Sequence, residues 1–118
     1  MEYLVEMTLA ALPKTPEEGI ILMEIYILPT LALAKKLKQG NKIISGGLMV
    51  GKVGIAMIIK ADSAQELDGI IDSLPVWSRM QTTVIPLTSF ESREIIVKQL
   101  LETTKKRIAE AKTQQQNQ

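Results

Sequence analysis

The sequence predicts an α+β protein: a ferredoxin-like β-α-β-β-α-β sheet followed by an extra C-terminal helix. Three observations carry this reading. Strand-like segments recur four times, most clearly as apolar residues at every second position from Val53 to Ile59. Two capping signatures, Thr15-Pro16-Glu17-Glu18 and Ser63-Ala64-Gln65-Glu66, open helices between those segments. The order in which strands and helices alternate is that of the split β-α-β motif.

The first strand is expected over Tyr3 to Ala11, ended by Leu12-Pro13-Lys14. Thr15 is a good N-cap, and Pro16 suits the first helical position because the N–H it lacks would have no partner there. That helix should run to about Gln39, with Gly40-Asn41 as its stop. Pro29 lies inside it and should kink or split it near Leu28. Lys42 to Val50 and Lys52 to Lys60 read as two strands joined tightly around Gly51, with a bulge or a close backbone approach at Gly46-Gly47. Ser63 caps a helix to about Ser73, whose apolar stripe is Leu67, Ile70, Ile71 and Leu74. Met80 to Leu87 is the fourth strand. A long helix follows from about Phe90 to Lys112, and the glutamine-rich residues 113–118 read as a disordered tail. Residues 1–112 thus form one domain with a terminal helix.

Two helices can cover one face of a four-stranded sheet. The other face is expected to hold Ile44, Leu48, Val50, Ala56 and Ile58, too apolar to stay wet. A second copy stacked on it solves the problem, so a homodimer or a higher homo-oligomer is expected. Hydrophobic residues make up 46% of the 118, enough for a core without disulfides, and the aromatic share of 3% makes that core aliphatic.

Composition also removes function classes. The chain has no cysteine and no histidine, which excludes a thiol nucleophile, a Ser-His-Asp triad and Cys/His zinc sites. Acid–base chemistry must rest on Glu, Asp, Lys or Tyr. The net charge is +1 with dispersed basic residues, so no nucleic-acid partner is expected. The apolar run from Ile20 to Ala34 is interrupted by Glu24 and Pro29 and is too short to span a bilayer. No membrane partner and a cytoplasmic location are expected.

Five residues are candidates for a site. Glu24 has Ile20, Ile21, Ile27 and Leu28 one turn to either side, so its carboxylate should face the core, a cavity or a subunit contact. A carboxylate withdrawn from water is a candidate general base, and pairing with a surface lysine is the plainer reading. Tyr26 lies about 200° around the helix from Glu24 and reads first as packing with a wet hydroxyl. Lys52 is expected to begin a strand face shared with Gly54 and Ala56, where small residues leave room for an anion or let two sheets approach. Trp77 and Arg79 follow the second helix; both residue types are common anchors of interfaces, and subunit contact is the stronger reading for Trp77.

The stretch Leu74-Pro75-Val76-Trp77-Ser78-Arg79-Met80 resembles the muconolactone isomerase family: a helix ending in Leu-Pro-aliphatic-aromatic, then two residues, Met and a strand. Ser63 to Leu67, Gly51 to Ile59 and, more loosely, Leu33 to Leu37 align with the same family. The resemblance covers about residues 3 to 90. It implies a dimeric α+β barrel, and its founding activity is cofactor-free isomerisation of an unsaturated lactone by moving a proton. Wider relatives include cofactor-independent monooxygenases and polyketide cyclases.

Two readings remain open. One is a cofactor-free isomerase, cyclase or oxygenase acting on a small, apolar or anionic, unsaturated ring compound. In it Glu24 moves the proton, Lys52 or Arg79 binds the anion, and Trp77 lines the pocket with Tyr26 nearby. The other is a non-catalytic barrel that binds a small apolar ligand or serves as an oligomerisation module.

Overall fold

A computed structural model of the chain describes residues 1–116. Its compact units are Met1–Leu87 and the segment from Thr88 onward, and each is described by itself. In the first unit β1 (Glu2–Leu9) is followed by α1 (Pro16–Ile21), a π-helical segment (Leu22–Ile27) and α2 (Leu28–Gln39). Then come β2 (Ile43–Leu48), β3 (Gly54–Lys60), α3 (Ala64–Ser73), a 3₁₀ turn (Trp77–Arg79) and β4 (Met80–Leu87). The sheet is antiparallel with strand order β2-β3-β1-β4, as the ferredoxin-like reading requires.

Both helix starts form as their sequences dictate. Thr15 is extended and its hydroxyl accepts the Glu18 N–H; Ser63 does the same for Glu66. Each glutamate reaches back one residue beyond its cap, Glu18 to the Lys14 N–H at 2.7 Å and Glu66 to the Asp62 N–H at 2.9 Å. Lys42 at the head of β2 also donates to Glu66, at 2.6 Å, tying the start of α3 to the sheet.

Pro29 does not break the first helix. It has no N–H, and its ring crowds the carbonyl of Ile25, four residues earlier. The preceding turn widens instead: Leu28 donates to the Met23 carbonyl, an i→i−5 step, and α2 continues beyond it. Thr30, in the first turn of α2, is buried. Its hydroxyl donates to the Tyr26 carbonyl at 2.7 Å and accepts the Val76 N–H at 2.9 Å, fastening α2 to the chain after α3.

The core lies between the sheet and these helices. Val5 and Met7 of β1 and Ile55, Met57 and Ile59 of β3 point into it, met by Leu67, Ile71 and Leu74. The expected β2–β3 joint and the expected open sheet face need correction here. The β2–β3 connection spans residues 49–53, closed by the Met49 N–H on the Gly54 carbonyl, with Gly51 at φ +89°; Val50 and Lys52 therefore lie in a loop, not on strands. A bulge between Ile43 and Ser45 shifts the register, so Leu48 pairs with Ile55 and falls on the helix-covered face. Gly46 belongs to the same irregularity: a Cβ there would come within 2.6 Å of the Ala56 carbonyl oxygen. The opposite face keeps Ala56 and Ile58 but completes its apolar row with Leu4 and Ile85, which flank each other through the register Ile58–Leu4–Ile85. No helix of residues Met1–Leu87 covers that face.

The second unit is α4 (Phe90–Gln116). It continues through Thr113–Gln116, where the sequence suggested a disordered tail; glutamine and alanine sustain a helix well. The last two residues of that expected tail lie outside the described residues.

Two stability predictions follow from these anchors. Thr30→Val keeps the side-chain shape but leaves the buried Val76 N–H without an acceptor, so urea unfolding should show a loss of about 1–3 kcal/mol. The hydrogen bond from Lys42, then that from the Asp62 N–H, hold Glu66 below the usual carboxylate range; the bond to Glu66 in turn raises Lys42. A depressed carboxylate stabilises the fold above its unfolded value and loses that contribution as pH falls through its folded value. The stability advantage of the parent over Glu66→Gln should therefore be flat near neutrality and shrink below about pH 4.3, measured by denaturation across pH.

Candidate functional site

At one end of the sheet three connections converge. β1 runs into the loop before α1, the β2–β3 loop turns into β3, and the 3₁₀ turn enters β4. The Leu9 N–H bonds to the Val53 carbonyl, Leu9 pairs with Met80, and the Ala10 N–H bonds to the Arg79 carbonyl, so all three are stitched together. The π-helical segment Leu22–Ile27 reaches this end through Tyr26, which meets Arg79, and Leu22, which lines a cavity with Leu9 and Arg79. Segments of this kind recur at functional sites, since the widened turn changes the direction of the side chains it carries.

Tyr26 and Arg79 meet here. The Arg79 guanidinium lies over the Tyr26 ring, Cζ 4.6 Å from the centroid, and Nη2 donates to Tyr26 Oη at 3.3 Å. Cation–π contact and hydrogen bond together restrict a side chain that would otherwise swing through solvent. Because Arg79 donates to the phenol oxygen, the Tyr26 hydroxyl proton is free for another acceptor.

A cavity of about 330 Å³ adjoins Arg79. Leu9, Leu12 and Ile21 supply apolar wall, and Lys14, Glu18 and Arg79 are its ionisable residues. It is the one of the three cavities described here whose lining includes a carboxylate. Glu18 Oε2 is held by the Lys14 N–H, while Oε1 makes no hydrogen bond among the described residues. A carboxylate with one oxygen anchored and the other open is positioned to take or give a proton. The guanidinium and the Lys14 ammonium suit an anionic group nearby.

A second cavity, about 250 Å³, lies between α2 and the β2–β3 loop. Ile27, Leu31, Val76 and Met80 make it apolar, and Lys52 is its single ionisable lining residue. Lys52 thus lines a cavity, though from a loop rather than from the strand face the sequence suggested.

The other two candidates fall elsewhere. Glu24 is exposed in the single chain and lines none of these cavities, which corrects the core and cavity alternatives and leaves that of a subunit contact. Its surrounding aliphatics do not bury it because Ile20, Ile21 and Leu28 are themselves about half exposed. Trp77 is 43% exposed and lines none of the cavities. The acid that the sequence reading missed is Glu18, read there only as a capping residue. Its cap role is real; what distinguishes it from Glu66 is the absence of a lysine partner on its second oxygen. Among the described residues, no group of three acidic side chains is placed to hold a metal ion, and no helix is long and apolar enough to cross a membrane.

The family model for muconolactone delta-isomerase matches residues 1–93. The chain belongs to the muconolactone delta-isomerase family. The match spans the whole sheet, its covering helices and Lys14, Glu18, Tyr26, Lys52 and Arg79, and it ends within the first turn of α4. Among solved structures, a muconolactone isomerase superposes with a TM-score of 0.62 at 19% identity, covering 75% of this chain and 90% of that one. The 5-chloro-2-hydroxyhydroquinone dehydrochlorinase of Burkholderia phenoliruptrix AC1100, in complex with 2,5-dihydroxybenzoquinone, superposes with a TM-score of 0.58 at 20% identity, covering 78% and 98%. At such identities the superpositions establish the shared fold. No curated protein matches the sequence.

Proposed function

We propose that this protein is an isomerase-type enzyme that moves a proton on a small, oxygenated, unsaturated ring compound carrying an acidic group. The observation that carries the proposal is the cavity in which Glu18 stands with a free carboxylate oxygen beside Arg79. The names of the two superposed enzymes support the substrate class, since a lactone and a hydroxyhydroquinone are both small oxygenated rings.

In this reading Arg79 and Lys14 hold the substrate's anionic group, and Leu12 and Ile21 pack on the ring. Glu18 Oε1 takes the proton from a ring carbon next to a carbonyl, whose acidity the carbonyl supplies. The same carboxylic acid returns the proton to a different carbon as the double bond shifts. One positioned carboxylate suffices for both transfers, so no external oxidant or reductant enters the balance. Tyr26 is a positioning residue that holds Arg79 in place.

Glu24 and Trp77 belong, in the same reading, to contacts between copies of the chain. Ile20, Met23 and Ile25 are also exposed on the first helix, and a cluster of exposed apolar side chains marks a contact surface. The apolar row Ile58–Leu4–Ile85 favours the same homo-oligomer.

Muconolactone in D₂O, followed by proton NMR, tests the assignment. The parent protein should catalyse solvent deuterium exchange at a ring carbon. Glu18→Gln should slow that exchange by about 10²-fold or more, Arg79→Ala should raise KM, and Glu24→Gln should leave the rate near that of the parent. Exchange retained in Glu18→Gln and lost in Glu24→Gln would return the chemistry to Glu24. No exchange by the parent protein would sink the isomerase reading for this substrate.

A further inference from the structure

A third cavity lies between α2 and the edge strand β2, and none of its lining residues lines the cavity beside Arg79. It is a groove of about 340 Å³, within the size range of small-molecule sites. Its floor is core: Ile43, Ile55 and Met57 are buried. Its helix wall has a directional character. Leu28, Leu31, Lys35 and Lys38 all line it, and their spacing of three, four and three residues puts them on one face of α2. That face is apolar at its N-terminal end and cationic at its C-terminal end.

The two lysines are the groove's only ionisable lining residues, and neither has an ion-pair partner among the described residues. α2 contains no acidic residue. Lysines in a last helical turn complement the helix dipole, which accounts for Lys36 and Lys38 being basic. It does not account for Lys35 and Lys38 sharing a face with Leu28 and Leu31 over an open groove. At the apolar end the groove shares Leu31, Leu48 and Ile55 with the cavity beneath Lys52, which lengthens the space open to an apolar chain. Gly46 keeps the opposite wall low, because a side chain there would collide with β3.

We propose that this groove is a binding site for an amphipathic carboxylic acid, an apolar chain or ring system ending in one carboxylate. The carboxylate sits between Lys35 and Lys38, and the apolar body lies along Leu31 toward Leu28 and Leu48. This site is separate from the Glu18–Arg79 cavity and does not depend on the isomerase reading. A neutral molecule of the same length would fill the apolar end and leave the lysines unmatched, so the charge is what selects the ligand.

Decanoate, used below its micelle concentration, is a suitable probe on the full chain, with decanol as its neutral counterpart. Amide chemical shifts should move saturably at Leu31, Ala34 and Leu48 and stay still around Arg79. Decanol should bind at least tenfold more weakly. Lys35→Gln/Lys38→Gln, two exposed positions whose change should not disturb folding, should weaken decanoate at least tenfold while leaving decanol unaffected. Leu28→Glu should repel the probe from the other end. Three results would each overturn the proposal: no saturable shift, shifts centred on Arg79, or equal affinity of decanoate for the parent and the double-lysine variant.

Discussion

Pro29 is the constraint on which the rest of the site depends. A proline inside a helix removes one backbone donor and pushes against the carbonyl a turn earlier. Here the helix absorbs both effects by widening the turn from Leu22 to Ile27, and α2 resumes on the far side. The widened turn presents Tyr26. One residue past the proline, Thr30 uses its hydroxyl on the Tyr26 carbonyl and on the Val76 N–H. Val76 in turn accepts the Arg79 N–H on its carbonyl, so a single buried threonine links the wide turn to the segment that carries Arg79. The Arg79–Tyr26 contact closes the circuit. Remove the proline, and the reason for the wide turn goes with it.

The second constraint is the bulge in β2. One extra residue between Ile43 and Ser45 reverses the face of everything that follows in the strand. Leu48 turns toward α2 and becomes a wall of both apolar cavities instead of part of the exposed sheet face. The same shift brings Gly46 against β3 so closely that only hydrogen fits. Lined pockets on the helix side and a narrower apolar row on the other side are thus two results of one irregularity.

Much of the fold was legible because its signals are local. Two capping boxes, the alternation in Val53 to Ile59 and the turn at Leu74-Pro75 each depend on residues within a few positions of one another, and their order identified the topology. The site was harder. Tyr26 and Arg79 are 53 residues apart, and no periodicity links them. Glu24 misled for a specific reason: neighbours one turn away are apolar, but apolar is not the same as buried, and in the single chain those neighbours face outward. Glu18 stayed hidden because its capping role already explained it. Lys52 stands out in the sequence through the small residues after it, yet its place in a loop was not visible, since the turn at Gly51 is longer than the tight hairpin the pattern suggested.

The most direct measurement of this account is a high-resolution structure of Pro29→Ala. With the N–H of residue 29 restored and the ring gone, the helix from Pro16 to Gln39 should become regular, the i→i−5 bond from Leu28 to Met23 should be replaced by an i→i−4 bond, and Arg79 should leave the Tyr26 ring. A variant structure that keeps the wide turn and still holds Arg79 over Tyr26 would show that Pro29 does not organise the site.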